Sequence, residues 1–364
     1  MESLPVELVE RILSLANLSH AENLSCRLVC RGFCSIVSPT AFSRVRISKL
    51  ARDAFDGIVN LSQSQLASYV VEFEYKVIRF ISSKDIHDVD SLIQLSDESD
   101  TLSIQDMANS LVEHHKNHLH QVDVLGTFYD IISLSKALPA FTNLKSVTIS
   151  TFDGSFELPP PLGVAEATTR AFWAVIKALN SCAYQIESFS VDSVSKLSIP
   201  PSKLAQIHEI FEGLTHLSIG SVYGQRSYNF QEDILARTPQ LQTLRLGSDG
   251  RGSCEWQDIL RDRIGTGHLY WPHLKVLEMD GGVSGRVTIQ QKGLVRFLTS
   301  HQNTLTDLSI KRLKTFPVLR KLVLRELGEF VVADRGCKWI EEEQLLEWEN
   351  LVRKKQGQTS SASA

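Results

Sequence analysis

A six-residue phrase, Leu-x-x-Leu-x-Leu with Ile, Val, Phe or Met allowed at the apolar places, recurs through this 364-residue chain and limits its fold more than any other feature. Clear copies have their apolar residues at Leu144, Val147 and Ile149, at Ile186, Phe189 and Val191, and at Leu214, Leu217 and Ile219. Three more lie at Leu241, Leu244 and Leu246, at Leu274, Leu277 and Met279, and at Leu305, Leu308 and Ile310. Weaker copies begin at Val70 (Phe73, Tyr75), Leu119 (Val122, Val124) and Leu319 (Leu322, Leu324). The clear copies start 42, 28, 27, 33 and 31 residues apart. Spacings of this order mark repeat arrays, in which each unit is one small supersecondary element.

Helical patterns precede the phrases, over 131–138, 166–183, 202–212, 231–237 and 293–300. In the second of these, Ala171, Val175, Ala178 and Leu179 share one face, with Phe172 and Ile176 beside it. Helix then short strand, repeated, predicts an α/β fold of parallel strands with helices outside. The second and third apolar residues of each phrase then point inward and are buried by neighbouring units. Strands of an ordinary α/β domain are the alternative.

The residues between the buried ones face the other side: Ser146, Thr148, Ser188, Ser190, His216, Ser218, Thr243, Arg245, Val276, Glu278, Asp307 and Ser309. His216, Ser218, Arg245 and Glu278 are candidate contacts for a bound protein. Few are Trp, Tyr or Arg, the residues that usually anchor an interface, so loops are expected to contribute. Residues 151–165 hold Phe152, Phe156 and three prolines, Pro159 to Pro161. Residues 247–272 hold Trp256, Tyr270 and Trp271, and Trp256 and Trp271 join the candidate contacts. Packing against the edge of the array explains such aromatics equally well.

The first fifty residues follow a different rule. Leu8, Ile12 and Leu15 recur at the spacing of one helical face over 4–16, with Pro5 and Glu7 suited to the first turn. Ser19 and Glu22 have the spacing of a capping box. A second helical stretch is read through Val37, closed by Pro39, with stripes of Leu24 and Leu28 and of Val29, Phe33, Ile36 and Val37. On this reading Cys26, Cys30 and Cys34 share a helical face as small packing residues. About 45 residues bury little surface by themselves. Some of these apolar side chains must therefore face another protein or the rest of the chain, as in an ordinary helical cap.

Leu4-Pro5-Val6-Glu7-Leu8, then Ile12-Leu13, then Leu18, then Leu28-Val29-Cys30-Arg31-Gly32-Phe33 resembles an F-box. Phe33 stands where Trp is frequent, and Phe42 where a Leu-Trp pair often stands. The resemblance implies a helical module over 1–45 that docks on the Skp adaptor of a cullin-RING (SCF-type) ubiquitin ligase. By position, Leu4, Pro5, Leu8, Ile12, Leu13, Leu18, Leu28 and Val29 would make that contact or pack behind it. Residues 46–350 are similar to the irregular leucine-rich repeats that often follow an F-box, which implies a solenoid that holds an unknown protein substrate. Gly220, Gly247 and Gly281 stand near the places where regular repeats carry asparagine. An acidic insertion is expected at about 82–103 and a disordered polar tail at 351–364.

Lys and Arg number 38 against 42 Asp and Glu, a net charge of −4 that argues against a nucleic-acid partner held by bulk positive charge. No apolar run approaches the roughly 18 residues that span a bilayer. Six cysteines in a chain this long make no disulfide framework and suit the cytosol or nucleus. His114, His115, His118 and His120 lack the His-Glu-x-x-His order of a zinc site. No phosphate-binding loop or nucleophile elbow occurs, so no catalytic residue, metal or cofactor is assigned. A substrate receptor is the expected function. A repeat scaffold acting outside any ligase and an enzyme with an unrecognised site are the alternatives.

Overall fold

The computed structural model describes residues 5–16, 18–77, 116–117, 119–151, 164–195, 207–223, 235, 237–247, 271–280, 300–301, 303–311 and 330–331. Leu4, Trp256, the copy at Leu319, the acidic stretch 82–103 and the tail 351–364 lie outside them, as does nearly all of the loop 151–165. The chain divides into two units, Met1–Leu214 and Thr215–Ala364. No helix among the described residues is long and apolar enough to cross a membrane.

Three short helices open the first unit: α1 (Val6–Leu15), α2 (His20–Arg27) and α3 (Arg31–Ala41). Pro5 is the N-cap of α1, and its carbonyl accepts from Leu8 N and Val9 N. The capping box of α2 is complete. Ser19 Oγ accepts from Glu22 N at 3.3 Å, and Glu22 Oε2 accepts from Ser19 N at 2.7 Å. These hydrogen bonds hold the Glu22 carboxyl below the ordinary glutamate range.

The single helix expected through Val37 is instead two. Cys30 is extended, with φ −162°, and caps α3 by accepting the Phe33 N–H on Sγ. That break removes Cys30 from any face shared with Cys26 and Cys34. Nor does Pro39 close the helix, which runs on to Ala41. Proline costs a helix one hydrogen bond and a clash with the preceding turn, yet Val37, Ser38 and Ala41 around it are buried and hold the last turn in place.

Parallel strands follow. In the first unit β1 (Arg44–Ile47) pairs with β2 (Glu72–Val77), β2 with β3 (Ser146–Thr151), and β3 with β4 (Ser188–Ser195). Parallel neighbours need long crossovers, and helices supply them: α4 (Arg52–Ser62), α5 (Tyr129–Ala137) and α6 (Val164–Leu179). Apolar strand residues turn toward these helices. Phe55 of α4 meets Tyr75 edge-on, and Phe172 of α6, Phe189 and Phe211 form an edge-to-face row with centroids 5.8 and 5.2 Å apart. The buried Asp130 of α5 is held by Arg170 of α6 at 3.2 Å. Residues 119–126 are helical, so the weak phrase at Leu119 is no strand, and Val122 is exposed.

In the second unit β5 (His216–Tyr223), β6 (Thr243–Leu246), β7 (Val276–Asp280), β8 (Asp307–Lys311) and β9 (Phe330–Val331) pair in parallel, each with the next. One backbone device recurs in both units. The carbonyl before a strand accepts two successive N–H groups as the next strand begins. Ser43 O takes Val71 N and Glu72 N, Val71 O takes Lys145 N and Ser146 N, and Lys145 O takes Glu187 N and Ser188 N. Thr215, Gln242 and Lys275 do the same for the strands that follow them in the second unit. The phrase therefore marks a repeated cross-strand hydrogen-bond pattern as well as a strand.

Candidate docking surface

The N-terminal helices leave several apolar side chains of α1 and of the α2–α3 link outside. Leu28 and Val29, in the link between α2 and α3, are 87% and 68% exposed, and Ile12 and Leu15 on α1 are 55% and 76% exposed. Val6 and Leu8 are exposed as well. The cause is geometric. The turn of α3 at Ser38 and Ala41 packs against the rest of the unit, while among the described residues no layer lies over α1 and the link. Burying one such side chain is worth roughly 1.5–3 kcal/mol, so a partner that covers several of them gains enough to offset the cost of association.

The link is held from behind. Arg27 Nε donates to Ser38 Oγ at 2.9 Å, and its guanidinium stacks on Phe42. Of the residues proposed for this contact, Pro5, Leu8, Ile12, Leu28 and Val29 are exposed, whereas Leu13 and Leu18 are half-buried.

The polar face of the sheet is the second surface. Ser218, Arg245 and Glu278 stand in one row across β5, β6 and β7, and Arg245 Nε lies 3.1 Å from Glu278 Oε2. His216 is exposed one step back on the same face of β5, with Nδ1 2.8 Å from Thr215 Oγ1.

Trp271 requires a correction. It is 1% exposed, donates Nε1–H to Leu235 O at 3.1 Å, and offers no surface to a partner. Its position explains this. Trp271 stands three residues before Leu274, and its carbonyl accepts the Leu274 N–H. Phe141 before Leu144, Phe211 before Leu214, Thr238 before Leu241 and His301 before Thr304 and Leu305 make the same turn, and all are buried. Alignment of the phrases on their first residue reveals this register in the sequence.

The sequence reading missed β1 and the charges beside it. Phe42-x-x-Val45-x-Ile47 is a further copy of the phrase, hidden because Phe42 also closes α3. In register, Arg44 pairs with Glu72 and Arg46 with Glu74. Glu74 Oε2 accepts from Arg44 Nη2 at 2.8 Å and Arg46 Nε at 2.7 Å, while Oε1 accepts from Ser150 Oγ at 2.8 Å. Burial works against the Glu74 charge, but the hydrogen bonds from Ser150, Arg46 and Arg44 outweigh it and hold the carboxyl below its ordinary range.

Residues 1–48 match the F-box-like family and form an F-box-like domain, followed by the parallel sheet with its helices. No curated protein matches the chain.

Proposed function

We propose that this chain is a substrate-recognition subunit of an SCF-type ubiquitin ligase. The F-box-like helices dock on the Skp adaptor, which links them to a cullin. The sheet region acts as an irregular leucine-rich-repeat-like solenoid whose polar face holds a protein target. No residue is assigned a chemical step. The contribution to catalysis is positional, because holding a target near activated ubiquitin raises its effective concentration.

One observation carries this reading: Val6, Leu8, Ile12 and Leu15 of α1 and the Leu28–Val29 link lie outside, in a segment that matches an F-box-like domain. The carbonyl that accepts two N–H groups at the start of successive strands supports the repeat architecture. The test is co-purification of adaptor and cullin with the full chain, wild type against the Leu8→Asp, Ile12→Asp double variant. Both partners are expected with the wild type and neither with the variant, at an unchanged unfolding temperature. Adaptor binding that survives the double substitution contradicts the proposal. Adaptor without cullin favours a scaffold outside the ligase.

A further inference from the structure

The strand face of β1 and β2 carries a cluster of charged side chains. Arg44 and Arg46 oppose Glu72 and Glu74 there, two charges of each sign, with Lys76 further along β2. The Arg44 and Arg46 side chains are 54% and 48% exposed, whereas Glu74 beneath them is 9% exposed. Each guanidinium has five N–H donors. Among the described residues, Arg44 reaches only Glu74 and, at 3.8 Å, Glu72, and Arg46 reaches only Glu74. Most of these donors therefore face solvent.

Position adds to charge. Glu74 is fixed by Ser150 of β3, so it holds both guanidinium groups on a rigid sheet. The neighbouring face of β3 and β4 bears serines and a threonine up to Asp192, leaving a low shelf beside two tall cations. Arginine presents donors in a planar fork that matches a carboxylate, and a pre-positioned pair loses little freedom when it binds.

We infer that Arg44 and Arg46 form a recognition site for an acidic segment of the bound protein, with aspartate or glutamate carboxylates taking the outward N–H donors. This rests on the proposal that the strand face holds a target, and it names the chemistry of that target. Glu74 is a positioning residue, not a contact.

The test uses the full-length chain and an array of immobilised short peptides, each Asp/Glu-containing member paired with its Asn/Gln twin. Acidic members are expected to be retained on the order of tenfold more strongly than their twins. The preference is expected to weaken with salt, to vanish in Arg44→Gln, Arg46→Gln, and to persist in Lys136→Gln. Equal retention of the twins, or a preference that survives the double substitution, overturns the inference. Adaptor co-purification is measured on the same double variant. Adaptor retained by the wild-type chain while its acidic preference is absent rejects this inference alone, whereas a double variant that keeps the adaptor and loses the preference supports it. Loss of adaptor from the wild-type chain rejects the ligase reading and leaves the peptide result to be judged by itself.

Discussion

The guanidinium carbon of Arg27 lies 4.5 Å from the centre of the Phe42 ring. Arg27 ends α2, and Phe42 caps α3 just before β1, so this contact joins the exposed Leu28–Val29 link to the chain entering the sheet. Ser38, buried beneath, accepts the Arg27 Nε–H. Replacing Arg27 by Ala removes a cation–π contact of about 0.5–1 kcal/mol and a charged hydrogen bond of about 1.5–3 kcal/mol, before relaxation. Urea unfolding is expected to show a loss of about 1–3 kcal/mol with the slope preserved. Arg27→Lys should recover only part of it, because an ammonium lacks the planar fork.

Two glycines respond in opposite directions. The Gly247 N–H donates to Ile219 O at 2.8 Å, and a Cβ on Gly247 would meet Gly220 Cα at 3.2 Å. Backbone cannot swing aside, so Gly247→Ala is expected to destabilise by about 1–2 kcal/mol. A Cβ on Gly57, inside α4, meets nothing within 4 Å. Gly57→Ala is expected to stabilise by about 0.5–1 kcal/mol through helix propensity. Urea midpoints of the two variants against wild type decide both.

Acid should weaken the β1–β2 junction through Glu74. Its pKa in the folded chain is depressed by Ser150, Arg46 and Arg44 against the opposing effect of burial. A depressed carboxylate contributes its full stability above its unfolded pKa, and that contribution fades as pH falls through the folded value. Wild type is therefore expected to lose more stability than Glu74→Gln between about pH 5 and about pH 3, around the ordinary glutamate pKa. Chemical unfolding at each pH gives the two slopes, and parallel slopes would show that Glu74 does not titrate differently on folding.

Much of the architecture is legible in the sequence because the phrase has the period of a strand at its second and third apolar places. Val147 and Ile149, Phe189 and Val191, Leu217 and Ile219 are all buried as that period requires. The Ser19–Glu22 capping box is local chemistry and is equally readable. The misreadings come from short apolar patterns that two structures share. Leu119 and Val122 are three apart, a spacing that also suits a helix, and a helix is what forms. The α2–α3 break depends on Cys30 turning extended to cap α3, and Cys is a rare N-cap. Trp271 resembled a loop aromatic because of the glycines and charges before it, and its buried role shows only in register with Phe141 and Phe211. The Arg44–Glu74–Arg46 cluster depends on cross-strand register between residues about thirty apart, which no local pattern encodes.

The central claim is that the uncovered side chains of α1 and the α2–α3 link are the adaptor's landing site. Amide hydrogen exchange of the full chain, with and without purified Skp adaptor, tests it most directly. The account expects slowed exchange in α1 and across residues 28–30, with the strands β5 to β7 unchanged. Exchange that stays the same in both N-terminal segments while the adaptor is bound would contradict it.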